Sequence, residues 1–357
     1  MILKNRIIRR TMKKIFKIAL VLGVILSLTA CKSDKDGNGD GSQAGGTDLP
    51  VLRVAMMPFI TSLPTEYIIE NELDIKNGFK IDATMFSTGA PMNEAVAADL
   101  WDVGAMGAAA VTGVANYNMM IIGEVLESLD GLGVFVSPDH PAASVKGFNP
   151  SFPNVYGDPE TVKGSTILLP IGTAQHFTTL KWLEKIGLKQ EDVSIVNMDT
   201  VQAYQALKAD QADMAALNVP TFFDAIDDGM VQLGNLADLG TRYVDMVVAN
   251  PKSVENKSEL IQKYIDLIEE ANAALNADTE MAADLMMNFL KKNAVEQERS
   301  SVVSDLERVN FIEKEAWEER ELGLFAKELG EFYIAQGQIE PELLEKFETA
   351  IDSKFVK

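Results

Sequence analysis

The sequence predicts an α/β protein of two lobes, enlarged by a helical C-terminal extension that packs on lobe one. Three observations carry this expectation. Short apolar runs alternate with segments whose apolar residues fall at i, i+3 and i+4 through the first two thirds of the chain, the pattern of strands joined by helices. The segment 94–106 is echoed by 205–217 at a constant offset of 111, with five identities that include Asp99/Asp210 and Asp102/Asp213. About 308 residues follow position 49, more than one hydrophobic core usually serves.

The first thirty residues carry seven Lys or Arg and no acid, and end in an apolar run from Ile18 to Leu28. A membrane-spanning helix needs about 20 apolar residues, whereas the apolar core of a secretory signal needs about 7–15, so the run suits a signal peptide. It closes on Leu28-Thr29-Ala30-Cys31, and Cys31 is the only cysteine of 357 residues. Lone cysteines are usually inert core residues. Here the flanks offer no core, because residues 32–46 hold five glycines and no large apolar side chain. The tetrad resembles the bacterial lipobox, which implies removal of residues 1–30 and lipidation of Cys31. Residues 31–49 then form the lipidated cysteine and a flexible tether with a reach of roughly 20–25 Å. The expected location is the extracytoplasmic face of the cell membrane.

A first set of expected strands is Leu52–Met57, Ile81–Phe86, Asp102–Met106, Met119–Val125 and Leu132–Ser137. Those of the second are Thr166–Pro170, Val193–Met198, Asp213–Leu217 and Val231–Leu233. Helical segments between them include Pro64–Leu73, Pro91–Leu100, Phe177–Ile186 and Val201–Ala209. Such alternation argues for open sheets with helices on both faces. From about Ser258 the pattern is wholly helical, with a stripe of Ile261, Tyr264, Ile265, Ile268, Ala271 and Leu275; Asp278 suits an N-cap and Pro341 a first turn. Lobe one is expected to comprise 50–132 with 248–357, and lobe two 133–247, the chain crossing near Leu132–Ser137 and Arg242–Asn250.

Composition excludes several functions. Without the leader, 25 Lys and Arg face 53 Asp and Glu, a net charge of −28. That surface repels nucleic acid and anionic headgroups. Only His140 and His176 are present, and no Cys/His spacing suits zinc, so neither a metal nor a cofactor is expected.

In open α/β sheets ligands bind beyond the carboxyl ends of strands, where helix N-termini present free N–H groups. Lobe one offers Pro58, Thr61 and Ser62, then Ser87, Thr88 and Gly89, then Gly107 and Ala108. Lobe two offers Gly172, Thr173, Ala174, Gln175 and His176, then Asp199, then Asn218 and Pro220. Each hydroxyl or carboxyl taken singly reads as an ordinary N-cap; together they would line one cleft. None of these turns contains Lys or Arg. Met57, Met106 and Met198 are candidate walls, and Phe59 or Tyr204 a stacking surface.

The run Leu52-Arg53-Val54-Ala55 with Pro58, Phe86-Ser87-Thr88-Gly89, Ala98-Asp99-Leu100-Trp101-Asp102-Val103-Gly104, and Thr161–Ile167 leading to Gly172-Thr173-Ala174-Gln175-His176 resemble the nitrate/sulfonate/taurine solute-binding proteins of ABC importers. Thiamine-precursor binders share that type II periplasmic-binding-protein fold. The resemblance implies a monomeric, non-enzymatic receptor that captures an alkanesulfonate-, taurine- or nitrate-like solute and delivers it to permease and ATPase subunits. Two departures stand out: asparagine at 218, two positions before Pro220, where the family often has an aromatic residue, and the absence of a cation in the cleft turns. A neutral heterocycle such as a thiamine-precursor pyrimidine is the alternative solute. An enzyme on the same fold would need His176, with Asp199 as its only partner in these turns.

Overall fold

The computed structural model describes residues 49–356. The expected signal peptide, Cys31 with its expected lipidation, and nearly all of the expected tether lie outside them. Among the described residues no helix is long and apolar enough to cross a membrane.

Eleven strands form two sheets: β1 (Val51–Met56), β2 (Lys80–Met85), β3 (Val103–Met106), β4 (Met120–Ser128), β5 (Leu132–Val136), β6 (Thr166–Leu169), β7 (Ser194–Asn197), β8 (Met214–Asn218), β9 (Val231–Asn235), β10 (Tyr243–Ala249) and β11 (Val309–Phe311). The first sheet has the order β11-β4-β10-β3-β1-β2 and the second β7-β6-β8-β5-β9. Apart from the short edge strand β11, the two orders are the same pattern. In each, two parallel strands flank the first (β2 and β3 beside β1, β7 and β8 beside β6), and an antiparallel strand comes next. That strand is β10 in one sheet and β5 in the other.

The echo of 111 residues is therefore structural. Helix Gly89–Ala97 corresponds to Thr200–Lys208 and β3 to β8. Asp99 and Asp210, which follow those helices, both adopt left-handed backbone, φ 56° and 53°. An aspartate tolerates that region better than most side chains.

The segments expected to cross between lobes are instead the buried strands β5 and β10, and the crossings are the shorter pieces 129–131 and 236–242. The crossings are joined to each other, Ala237 N–H donating to the Leu129 carbonyl at 2.8 Å. Divided by sheet, the lobes are 49–128 with 243–356, and 132–235. Strand β10 escaped the sequence reading because Tyr243–Ala249 is apolar almost throughout, without the alternation of a one-faced strand; a strand covered on both sides has none.

The C-terminal extension packs on lobe one, as expected. All six stripe residues from Ile261 to Leu275 are buried in the same cluster as Leu52, Val54 and Ile121. Burying each such side chain contributes roughly 1.5–3 kcal/mol. Polar contacts fix the register: Thr65 Oγ1 meets Tyr264 Oη at 2.7 Å, and Asn272 Nδ2 donates to the carbonyls of Val125 and Ile312. Asp278 caps its helix through Met281 N–H. The one departure is β11, a three-residue strand that pairs with β4 inside the helical region.

Candidate ligand-binding cleft

Behind β1 the chain makes a tight turn in which Ser62 Oγ accepts the Met57 N–H at 2.9 Å. That hydroxyl is occupied locally. Neighbouring Thr61 is 3% exposed and its hydroxyl has no hydrogen-bond partner. Pro58 is half-buried beside it. Ser87 and Thr88 are exposed, and Thr88 starts its helix without a side-chain cap bond. Gly89 is explained by packing, because a Cβ there would collide with the Ala109 side chain at the start of the next helix.

Gly107 and Ala108, after β3, lie against the first residues of β10. Ala108 N–H donates to Tyr243 Oη. A Cβ on Gly107 would overlap the Tyr243 hydroxyl and come within 2.5 Å of Asp245 Oδ1. Glycine is required there by space alone.

In the second lobe the predicted residues are tied to one another. Gln175 Nε2 donates to Thr200 Oγ1 and to Asn218 Oδ1, both at 2.9 Å. Thr173 Oγ1 donates to the Pro170 carbonyl, and Gly172, at φ 79°, donates its N–H to His176 Nδ1. Ala174 is half-buried at the helix start, and Pro220 follows a cis peptide bond. Asp199 is exposed and caps the next helix through Val201 N–H. His176 is 1% exposed and meets Gln338 Nε2 at 3.0 Å; burial holds its pKa below the usual range, so the ring is neutral at pH 7. His176 and Asp199 form no hydrogen bond or ion pair with each other.

The lobes meet at an aromatic cluster. The Phe177 ring lies 6.3 Å from Tyr243, 5.9 Å from Phe325 and 5.3 Å from Phe332. Beside it, Arg308 covers the Phe223 ring at 5.2 Å and is ion-paired with Asp130.

Two carboxylates that sequence reasoning missed occupy this junction. Asp245 and Asp305 sit deep among protein atoms yet keep a partly accessible face. Burial pushes both carboxyls up to about 7. The charge of Asp245 adds to the rise at Asp305, while Arg308 offsets part of it. The Thr61 hydroxyl favours the charged form of Asp245 and offsets part of its rise. The buried Tyr333 hydroxyl is also without a partner and is near enough to Tyr243 to help raise its pKa. Asp245 was legible as the sole charge in the apolar run Tyr243–Ala249; Asp305 was hidden in an acidic helical region.

Two expected cleft walls lie elsewhere. Met106 is fully buried in the first core. Tyr204 belongs to the second lobe's core and spends its hydroxyl on Asp228. Phe59, by contrast, is exposed beyond β1, and Ile171 is exposed at the matching place beyond β6.

This architecture is the two-lobed α/β fold of periplasmic binding proteins. The NMT1/THI5-like family model matches residues 156–282. A candidate ABC transporter periplasmic binding protein of Brachyspira hyodysenteriae is 38% identical over 348 residues, covering 98% of both chains. Among solved structures, the aliphatic sulphonate binding protein SsuA of Escherichia coli superposes with a TM-score of 0.68 at 17% identity, over 85% of this chain and 92% of its own. The nitrate-binding protein NrtA of Synechocystis PCC 6803 gives 0.63 at 10% identity, over 86% and 87%. The chain belongs to the ABC transporter periplasmic binding protein family, and is the substrate-binding component of such a transporter.

Proposed function

We propose that this protein is a lipid-anchored solute receptor of an ABC importer. Cys31 and the tether hold it, as a monomer, outside the cytoplasm, where its two lobes close on a small solute and present it to permease and ATPase subunits. The observation that carries this reading is the pair of short crossings, 129–131 and 236–242, hydrogen-bonded side by side. Two adjacent strands of chain between two complete sheets are a natural hinge for closure about a cleft. The predicted turns Thr61, Gly107 and Ala108 stand on one side of the junction, and Gln175, His176 and Asn218 on the other.

Of the two solute classes left open by the sequence, the acidic junction favours the neutral heterocycle over sulfonate, taurine or nitrate. An oxoanion there would face Asp245 and Asp305, with Arg308 already committed to Asp130. Binding, not catalysis, fits a neutral His176 whose polar partners are Gly172, Gln338 and Gln190.

Intrinsic fluorescence and thermal shift against sulfonates, nitrate, taurine and pyrimidines test the receptor reading, with mass spectrometry of any co-purifying solute. A solute recovered unchanged supports it. No response and no bound solute would remove it, and a chemically altered solute would favour an enzyme. For the anchor, Cys31→Ser is expected to shift the protein from the membrane fraction to the soluble one.

A further inference from the structure

We propose that Arg308 is a positioning residue of the hinge, tying the first crossing to lobe two and so setting how readily the lobes turn on a solute. The proposal rests on the solute-receptor reading and names a residue that governs that same motion. Its support is a set of contacts made by one residue. The Arg308 carbonyl accepts the Leu129 N–H at 3.4 Å. The guanidinium pairs with Asp130, the next residue of the crossing. The guanidinium carbon also lies 5.2 Å from the centre of the Phe223 ring and 5.9 Å from that of Phe222.

These partners belong to different bodies. Arg308 stands one residue before β11, in lobe one. The two rings are on the helix Thr221–Asp227, packed in a lobe-two cluster with Phe135 and Leu217. Phe222 meets Phe135 of β5 edge-on at 5.2 Å, so the platform is fixed to the strand that the crossing enters. One residue therefore grips the crossing and both lobes that it joins. Turning lobe two about the crossings carries the rings past Arg308, while Leu129 and Asp130 stay bonded to it. Gly131, next in the chain at φ 82°, has the backbone freedom to absorb such a turn.

Arginine suits this post. A planar guanidinium gives N–H groups to a carboxylate along one edge while its face rests on a ring, which a lysine ammonium does not do at once. The second crossing has no matching reach. Arg242 approaches Glu127 Oε2 at 3.9 Å, and Glu127 lies on β4 and is held by Arg320 at 2.7 Å, so that pair ties its crossing to lobe one.

Amide hydrogen exchange of the purified protein, without solute, tests the proposal. Ala237, whose N–H meets the Leu129 carbonyl from the second crossing, is the diagnostic amide, because its bond is not to Arg308. Arg308→Gln is expected to speed exchange at Leu129 and Ala237 at least tenfold, with circular dichroism unchanged. Phe223→Leu, which leaves the Asp130 pair intact, is expected to speed Ala237 at least threefold, and the double variant to add little to Arg308→Gln. Faster exchange at Leu129 alone, or an Ala237 amide that ignores Phe223→Leu, overturns the proposal. Should Phe223→Leu fail to fold, Arg308→Lys decides in its place: the same threefold rise supports the role and wild-type exchange removes it. Since no solute is needed, a negative result leaves the receptor reading standing. Failure of the sulfonate, nitrate, taurine and pyrimidine panel removes that reading and the hinge function with it, whatever the exchange shows.

Discussion

Asp102 and Asp213 hold the same post in the two lobes. Each stands just before its strand, 111 residues apart, and accepts a backbone N–H from the strand alongside: Arg53 at 2.8 Å and Thr166 at 2.7 Å. They differ in what else they do. Asp102 is fully buried and also binds the Arg53 side chain, Lys257 and Ser253, which together hold its carboxyl down at about 2 despite burial. Asp213 is exposed.

Substitution should separate them. Asp102→Asn strands two cations that it now pairs and is expected to cost about 2–4 kcal/mol. Asp213→Asn loses one exposed bond and should stay within about 1 kcal/mol. Denaturant melts decide the matter; equal losses would mean that the repeat, not the ion network, sets the strength. By linkage the depressed Asp102 pKa gives stability that is present above pH 4 and lost as pH falls toward 2.

Asp245 and Asp305 have the opposite sign. Their folded pKa values, raised to about 7, favour the protonated native state, so this contribution is complete below pH 4 and disappears as pH rises through 7. The other groups around them are Arg308, paired with Asp130, and the phenols Tyr243 and Tyr333, which burial keeps neutral. The unliganded protein is expected to melt lower at pH 8 than at pH 6, and Asp245→Asn to flatten that slope. Parallel thermal series of the two proteins at pH 5.5 to 8.5 check both slopes.

Gly107→Ala places a methyl group into Tyr243 and Asp245. Overpacking of this kind costs about 1–3 kcal/mol, and it should displace the carboxylate, so solute binding is expected to fall more than stability. Gly234→Ala, in the second lobe, meets Trp182 and Leu239; it should destabilise without touching affinity. Comparing melts with solute titrations for the two variants distinguishes site from packing.

Phe332 packs against the hydrophobic clusters of both lobes, and Gln338 nearby reaches His176. The helix Leu324–Ala335 thus acts as a strut between lobes. Phe332→Ala is expected to lower stability by about 1–3 kcal/mol. It should also raise amide exchange at the start of helix Ala174–Lys185. Unchanged exchange there would show that the strut bears no interlobe load.

Much of this was legible beforehand. The alternation of strand and helix, the echo at 111 and the stripe from Ile261 to Leu275 all express local periodicity, which survives in a one-dimensional reading. That turns follow the strands at Thr61, Gly107, Gln175 and Asn218 was legible because strand ends announce themselves with small and hydroxyl residues. The carboxylate pair was not found. Asp245 and Asp305 are 60 positions apart, one on a return strand without alternation and one among many helical acids. The closing of β10 between β3 and β4 sets where Asp245 lies. Its influence on Asp305 is thus a product of topology, and spacing could not reveal it.

Strand β10 bonds along both edges, to β3 on one side and β4 on the other, and carries Asp245 at its cleft end. Asp245 is therefore welded into the middle of the first sheet, whereas Asp305 rides the last turn of the helix Arg299–Leu306. The two buried acids are thus unequal in freedom. The helical one can drift with little harm to the scaffold, whereas the strand one ties a charge to the architecture itself.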